Sequence, residues 1–265
     1  MAPGDVGKAA IDLEFRVDGP PDAPVLVLSY PLGLSMAMWE PVLPRLAERL
    51  RVIRYDHRGH GASPVPRGPY TIAELGQDLL RLLDRLALER VSFCGLSLGG
   101  MVGQWLGAHA PNRVDRLVLC CTAPVMARPA DYAARASMVR AQGMASIADT
   151  VIGRWFTPGF MARQPDAVAK IRTALLATPA EGYAATCEAL VAMDLREDLP
   201  LIAARTLVIA GAADQATAPD QSRAMAARMP DAEVLVMPEM PHLGSVEQPD
   251  AIADQILRWV RLPTS

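Results

Sequence analysis

One serine, Ser97, stands in a context typical of an enzymatic nucleophile. It is the centre of Gly95-Leu96-Ser97-Leu98-Gly99, which fits the pattern G-x-S-x-G. Residues 91–94 are strand-prone and lead into this pentapeptide, and residues 98–109 have the pattern of a helix. Such a strand, sharp turn and helix would hold the hydroxyl clear of the sheet, where N–H groups at the helix N-terminus favour negative charge. An ordinary turn between a strand and a helix is the alternative.

A serine hydroxyl needs a base at neutral pH, and the base needs an orienting carboxylate. In hydrolases with this turn, the chain order is serine, acid, histidine. Of the four histidines, only His242 follows Ser97 in a late loop. Asp214 comes directly after the strand pattern of residues 207–210, whereas we interpret Asp220, further along the same loop, as a helix N-cap. The sequence therefore predicts a triad of Ser97, Asp214 and His242.

Acyl transfer from a serine also needs an oxyanion hole of two backbone N–H groups. Leu98, directly after the serine, is the first candidate donor. The second is expected in the loop that follows the apolar strand pattern of residues 25–30. Pro31 has no N–H group, so we predict Leu32 as the donor.

A second cluster, residues 56–61, combines an aspartate with two histidines and resembles a set of metal ligands. Its members Asp56, His57 and His60 alternate with Gly59 and Gly61, which are typical of a tight turn. We therefore interpret this segment as a turn held by hydrogen bonds. We expect neither a metal nor an organic cofactor.

The elements that must position these residues alternate between strand and helix. Alternation of apolar strands with helices predicts an α/β fold whose mostly parallel sheet is flanked by helices on both faces. The strand patterns cover residues 11–17, 25–30, 51–56, 91–94, 116–121, 206–210 and 234–237, and the helical patterns cover residues 39–50, 71–86, 98–109 and 249–260.

The alternation stops between residues 125 and 199. This segment has helical periodicity, no strand pattern, and breaks at Gly143, Pro158, Pro165 and Pro179. It predicts three to five helices inserted between two strands as a cap. We therefore predict a core domain of residues 1–124 and 200–265, and a helical cap of residues 125–199.

Composition narrows the class of protein. With 265 residues, 51% hydrophobic and 21% charged, the chain is typical of a globular domain. Its net charge of −3 gives no reason to expect nucleic acid as a partner.

The four cysteines form no C-x-x-C pair and are expected to be buried free thiols. Residues 1–11 lack an apolar signal core, and no apolar run is long enough to span a membrane, so we expect a cytoplasmic protein. The oligomeric state is not predicted.

Together these features resemble the α/β-hydrolase superfamily over nearly the whole chain. Several stretches are similar to the 3-oxoadipate enol-lactonases of aromatic catabolism, and those in the predicted cap matter most because caps diverge between hydrolase functions. In the cap they are Arg154-Trp155-Phe156-Thr157-Pro158 and residues 178–187. In the core they are residues 54–63, 68–72, 93–101, 103–107 and 117–120.

The resemblance implies a serine hydrolase that opens 3-oxoadipate enol-lactone through an acyl-enzyme, with a small lactone or ester as its partner. It also implies a cation for the lactone carboxylate, and we predict Arg154, beside Trp155, in this role. The family usually has Ser-Asn-Ser-Leu-Gly where this chain has Ser29-Tyr30-Pro31-Leu32-Gly33, so we predict that Tyr30 shapes the pocket floor. The alternatives are a related carboxylesterase, lactonase or cofactor-free haloperoxidase, and a non-catalytic ligand-binding member of the fold.

Overall fold

A computed structural model describes residues 10–260 of the chain. Residues 1–9, where the sequence predicts no secretion signal, and residues 261–265 lie outside the described part, so both ends of the predicted core domain are untested. Across residues 10–260, none of the helices combines the length and the apolar character that crossing a membrane requires.

Seven strands form one sheet in the order β1-β3-β2-β4-β5-β6-β7. Only β1 runs antiparallel to its neighbour, β3, and the other adjacent strands are parallel. The strands are β1 (Phe15–Asp18), β2 (Val25–Ser29), β3 (Arg51–Tyr55), β4 (Val91–Leu96), β5 (Val114–Cys120), β6 (Arg205–Gly211) and β7 (Ala232–Met237). Strand β4 is buried along its whole length, as its continuous apolar sequence predicts for a covered parallel sheet.

Helices connect the strands and cover the sheet, which confirms the predicted α/β fold. Helix α2 begins as expected, because the Thr71 hydroxyl accepts a hydrogen bond from the Glu74 N–H at 3.1 Å. The helices are α1 (Leu43–Ala47), α2 (Ile72–Arg85), α3 (Leu98–His109), α4 (Pro129–Gln142), α5 (Ala145–Trp155), α6 (Pro158–Arg163), α7 (Pro165–Ala177), α8 (Ala180–Ala192), α9 (Pro219–Ala226), α10 (Gly244–Glu247) and α11 (Pro249–Val260).

The helix predicted over residues 39–50 is wrong in type and extent. The structure has a 3-10 helix at Met36–Val42, followed by the short helix α1. Pro41 lies inside the 3-10 helix and Pro44 lies in the first turn of α1. Proline lacks the N–H group that a continuous α-helix needs, and its ring clashes with the preceding turn.

Five helices, α4 to α8, lie between strands β5 and β6, at the upper end of the predicted number. We call this segment, residues 129–192, the helical insertion. Within it α4 packs against both α5 and α8, and α7 packs against α5 and α6. The division of the chain into a core domain and a cap domain stays a prediction.

Helix α8 of the insertion lies directly against the loop that follows β3. A Cβ atom at Gly182 would lie 1.9 Å from the carbonyl oxygen of Gly59, closer than any real contact. Nearby, the Tyr70 N–H donates to the carbonyl oxygen of Ala185 at 3.2 Å. The insertion is therefore docked backbone to backbone, and Gly182 is required by this close approach.

Replacing Gly182 by alanine should lower the free energy of unfolding by about 1–3 kcal/mol, because the new methyl group has no space. The matched control is Gly153→Ala in α5, where a Cβ would meet nothing within 4 Å. The control should gain up to about 1 kcal/mol, because alanine is the better helix former. Thermal unfolding of both variants measures the difference, and equal shifts in Tm would contradict the docking contact.

Candidate functional site

The backbone at Ser97 has an unusual conformation, with φ 54° and ψ −113°. Side-chain-bearing residues avoid this region, and its cost is about 1–3 kcal/mol. Hydrogen bonds on both sides of the residue maintain it. The Ser97 N–H donates to the carbonyl oxygen of Cys120 at 2.9 Å, and the Thr122 hydroxyl donates to the Ser97 carbonyl at 2.8 Å.

Two glycines make this turn possible. A Cβ at Gly95 would lie 2.2 Å from the carbonyl oxygen of Gly99, and a Cβ at Gly99 would lie 2.4 Å from that of Ser29. The turn is therefore tight on both sides of Ser97. This packing is the physical reason for the G-x-S-x-G spacing in the sequence.

Asp214 and His242 form a buried hydrogen-bonded pair. His242 Nδ1 lies 2.9 Å from Asp214 Oδ2, and the acceptor role of the carboxylate makes Nδ1 the donor. Asp214 Oδ1 also accepts from the N–H groups of Ala216 (2.7 Å) and Thr217 (3.1 Å), and Oδ2 accepts from the Thr217 hydroxyl (2.6 Å). Burial raises the pKa of Asp214, but the adjacent His242 and the bonds from Thr217 outweigh it and bring that pKa to about 2. The carboxylate therefore stays ionised.

Asp220, the other carboxylate of this loop, does not reach the histidine. Its side chain is 95% exposed and pairs with Arg223 at 2.8 Å. The interpretation of Asp220 as an N-cap is also wrong, because Ala218 occupies the N-cap of α9 and Asp220 lies in the first turn.

Ser97 and His242 line one cavity of about 290 Å³. Pro31 and Leu32 line it too, on the loop after β2. Within residues 10–260, the backbone N–H groups of Leu32 and Leu98 donate to no protein acceptor, as is usual for Leu98 in the first turn of a helix. The structure thus brings together the predicted nucleophile, base and oxyanion loop.

The helical insertion supplies the opposite wall of the cavity. Arg154 and Trp155, both on α5, line it as the sequence predicts, with Trp155 buried and Arg154 exposed. Sequence reasoning missed Arg128 and Arg135, which also line the cavity, together with the acidic Asp131. The cavity therefore contains three arginines and one aspartate in its wall.

Two of these arginines lack a carboxylate partner. Arg128 pairs with Asp131 at 3.2 Å, but within residues 10–260 no carboxylate forms an ion pair with Arg135 or Arg154. Arg135 is half-buried, and its guanidinium lies 5.0 Å from the ring centroid of Tyr132. Burial lowers the pKa of Arg135, but its neighbours, Tyr183 first among them, raise it by more. Its guanidinium is thus ordered before any ligand arrives.

Tyr30 does not reach this cavity, so its predicted role as a substrate-binding residue is wrong. The side chain is fully buried, and its hydroxyl accepts a hydrogen bond from the His57 N–H at 2.8 Å. The two rings meet edge to face, 4.8 Å apart between centroids. The ring therefore packs beneath the loop, and the next residue, Pro31, lines the cavity instead.

The cluster of Asp56, His57 and His60, which resembles a set of metal ligands in the sequence, holds a turn through hydrogen bonds. Asp56 Oδ1 accepts from the Met36 N–H at 2.8 Å, and Oδ2 accepts from the Ala62 N–H at 2.9 Å. His57 Nε2 lies 3.1 Å from the Ser29 hydroxyl, and His60 Nε2 lies 3.1 Å from the N–H of Gly33. These four atoms are all engaged within the turn and its neighbours, whereas His57 Nδ1 is buried and has no hydrogen-bond partner within residues 10–260.

Within residues 10–260, one group of side chains has the spacing of metal ligands. The donor atoms of Cys121, Asp214 and His242 lie within 4.8 Å of one another, and all three residues are buried. A cation there would displace the hydrogen bond between His242 and Asp214. Cys121 follows β5, and only the adjacency of β5 and β6 brings it beside Asp214, a signal that the sequence does not contain. The expectation that no metal is needed stays a prediction.

Comparison with known proteins identifies the family to which the chain belongs. Residues 24–249 match the family model described as alpha/beta hydrolase fold. The chain belongs to the α/β-hydrolase family. This hydrolase is 40% identical over 241 residues to 3-oxoadipate enol-lactonase 2 from Acinetobacter baylyi, covering 91% of this chain and 90% of the relative. It is 32% identical over 243 residues to the putative carbamate hydrolase RutD from Stutzerimonas stutzeri, covering 89% of this chain and 91% of the relative.

A solved structure agrees with these relatives. The crystal structure of the enol-lactonase from Burkholderia xenovorans LB400 superposes on the hydrolase with a TM-score of 0.93. The sequence identity is 40%, and the match covers 96% of this chain and 99% of that one. The predicted α/β-hydrolase fold is therefore confirmed, as is the resemblance to the enol-lactonases.

The buried histidines of the turn predict how stability depends on pH. Burial lowers the pKa of His57 to about 3, helped by the neighbouring His60, and that of His60 to about 4, both from 6.5. Between pH 6.5 and about 4, the unfolded chain therefore binds protons that the folded chain does not. The free energy of unfolding should fall with falling pH, by up to about 1.4 kcal/mol per pH unit for each histidine.

Urea unfolding between pH 7 and 4.5 measures this slope. His60→Gln should reduce the slope by the contribution of one bound proton, up to about 1.4 kcal/mol per pH unit. The matched control is His109→Gln, because His109 is exposed at the end of α3. An unchanged slope in His60→Gln would show that His60 is protonated in the folded protein.

Proposed function

We propose that this chain is a serine hydrolase that opens 3-oxoadipate enol-lactone, with a triad of Ser97, His242 and Asp214. The observation that carries the proposal is the pair of guanidinium groups, Arg135 and Arg154, in the wall of the cavity that contains Ser97 and His242. Neither has a carboxylate partner within residues 10–260, and the half-buried Arg135 in particular favours an anionic ligand, since an ion out of water needs a counter-charge. The enol-lactone carries one free carboxylate.

The geometry supports the following reaction sequence. His242 Nδ1 donates to Asp214, which leaves Nε2 free to take the proton of the Ser97 hydroxyl. Ser97 attacks the lactone carbonyl, and the N–H groups of Leu32 and Leu98 stabilise the oxyanion. The ring C–O bond then breaks, and the enol oxygen leaves with the proton from His242. The enol changes to the ketone, which prevents reclosure, and His242 activates water to hydrolyse the acyl-enzyme.

Arg135 is the stronger candidate for the carboxylate, with Arg154 second. The sequence favoured Arg154 because it adjoins Trp155, but Arg154 is exposed in the structure whereas Arg135 is half-buried. The ring of Tyr132 holds the Arg135 guanidinium, so little side-chain entropy is lost on binding. A guanidinium also suits a carboxylate geometrically, because it can donate two parallel hydrogen bonds.

The relatives support an enol-lactone as the substrate, and the name of one of them gives a carbamate as an alternative substrate. Enol-lactonase 2 of Acinetobacter baylyi is 40% identical to this chain, whereas the putative carbamate hydrolase RutD is 32% identical. A cationic wall would also attract a carbamate anion. Assays of purified protein on enol-lactone and on carbamate, side by side, separate the two functions, and we expect turnover of the lactone to dominate.

Ser97→Ala and His242→Ala should each lower kcat by at least about 10⁴-fold, because nucleophile and base act as a unit. Asp214→Asn should lose a comparable or smaller factor through a misoriented imidazole. Loss of ultraviolet absorbance of the enol-lactone measures the rate.

The control for these variants is Ser137→Ala on α4, where the hydroxyl bonds only to the Ala133 carbonyl of the same helix. It should retain full activity. If Ser97→Ala turned over the lactone at nearly the wild-type rate, the assignment of the nucleophile would be wrong.

Arg135→Gln should lower kcat/KM for the carboxylated lactone by about 10- to 100-fold. This is the value of a charge-assisted hydrogen bond, about 1.5–3 kcal/mol. Glutamine keeps a polar group beside Tyr183, so the wall should stay intact. The same variant should hydrolyse a neutral aryl ester nearly as well as the wild type, and Arg154→Gln should show a smaller version of this selectivity.

Arg172→Gln is the control for these two variants. Arg172 lies on α7 in the same insertion, pairs with Asp149 at 3.0 Å and is not part of the cavity wall. It should change neither reaction. Equal losses on the lactone and the neutral ester in Arg135→Gln would mean that Arg135 supports the insertion and does not bind the carboxylate.

A further inference from the structure

The loop that contains Leu32 is held from two sides through a single residue, Gly33. The Gly33 N–H donates to His60 Nε2 at 3.1 Å, and the Gly33 carbonyl accepts from the Thr178 hydroxyl at 2.7 Å. His60 belongs to the loop after β3, whereas Thr178 belongs to the helical insertion, between α7 and α8. All of these atoms are buried. One residue of the loop is thus fixed by both the sheet and the insertion.

His60 is suited to this task. Its Nδ1 lies 3.2 Å from the carbonyl oxygen of Arg58, so Nδ1 carries the proton and Nε2 is left as an acceptor for Gly33. The ring is fully buried, which keeps it neutral and so preserves the acceptor. The other contact is equally directed, because the Thr178 hydroxyl lies closer to the Gly33 carbonyl than to that of Ala174, at 3.3 Å.

The other end of the same loop is fixed by the nucleophile turn. The Gly99 N–H, two residues after Ser97, donates to the carbonyl oxygen of Tyr30 at 3.1 Å. Leu32 therefore lies between two anchored residues, Tyr30 and Gly33, and Pro31 restricts the backbone between them. The direction of the Leu32 N–H is determined by these anchors.

We propose that His60 and Thr178 are positioning residues that aim the Leu32 N–H at the oxyanion, so that the helical insertion contributes to transition-state stabilisation. The proposal rests on the proposed function, in which Leu32 is an oxyanion donor. The insertion contacts the loop here a second time, because a Cβ at Gly33 would lie 2.9 Å from Cε2 of Tyr183. Tyr183 also lines the cavity that contains Ser97 and Arg135.

A positioning role and a purely structural role predict different kinetics. The oxyanion is absent from the bound substrate and develops on the way to the tetrahedral intermediates of acylation and deacylation, so misplacement of its donor lowers kcat and leaves KM nearly unchanged. A purely structural bond would lower the melting temperature alone. Loss of a whole oxyanion donor costs about 10²–10³ in kcat, which sets an upper limit for any residue that acts through that donor.

The test uses the full-length enzyme and p-nitrophenyl acetate, a neutral ester that needs no carboxylate recognition. Thr178→Val and His60→Phe should each lower kcat by about 10- to 100-fold with KM within about threefold. The double variant should lose no more than about 10³-fold, because both residues act through one donor. Thr178→Ser keeps the hydroxyl and should restore kcat, and His60→Gln, which keeps an acceptor, should restore most of it.

The matched control is Thr186→Val in α8. Thr186 is also a buried threonine of the insertion, but its hydroxyl bonds to the carbonyl of Gly182 within its own helix, at 2.8 Å. Whatever its melting temperature, it should keep the wild-type kcat. If Thr178→Val fails to fold, Thr178→Ala takes its place.

A kcat within threefold of the wild type in both Thr178→Val and His60→Phe would overturn the proposal, as would a rise in KM alone. Ser97→Ala on the same ester separates this failure from that of the proposed function. An inactive Ser97→Ala with normal Thr178 and His60 variants refutes only the positioning role. An active Ser97→Ala refutes the serine mechanism itself.

Discussion

The strained backbone at Ser97 is the constraint on which the rest of the structure depends. A conformation that costs about 1–3 kcal/mol persists only where the surroundings determine it fully. Here the fully buried strand β4 fixes the residues before the turn, and helix α3 fixes those after it. Hydrogen bonds to Cys120 and from Thr122, both at the end of the neighbouring strand β5, hold the turn between them. The central sheet thus acts as the rigid support of one peptide unit.

The same support brings the remaining groups together. Asp214 and His242 follow β6 and β7, which run parallel to β4 in the same sheet. Their loops therefore leave the sheet at its carboxyl edge, beside the turn at Ser97. Charge enters the cavity from the opposite side, through the arginines of α4 and α5. The residues of the proposed triad thus follow strands of the sheet, and two arginines of the cavity wall belong to the insertion.

The parts that the sequence predicts well are those determined locally. The strand β4, its two glycines and helix α3 are adjacent in the chain, so their pattern indicates the turn at Ser97 directly. Chain order was enough to predict that Asp214 and His242 lie together, as their hydrogen bond shows, and their catalytic roles stay a prediction. Arg135 was missed because its role depends on which face of α4 meets the cavity. Tyr30 was misassigned for a similar reason, because its place in the family's motif does not show that its ring packs against His57.

The backbone contact between α8 and the loop after β3 limits how the enzyme can change its substrate. An insertion is commonly regarded as an interchangeable module, but this one is joined to the sheet at Gly182 without side chains between the two backbones. A graft from another hydrolase would need the same absence of a side chain at that position to seat at the same depth. Wall positions such as 135 and 154 can therefore change without affecting this contact. At position 182, any added side chain would have to move the insertion away from the loop after β3, and with it the cavity wall that faces the serine.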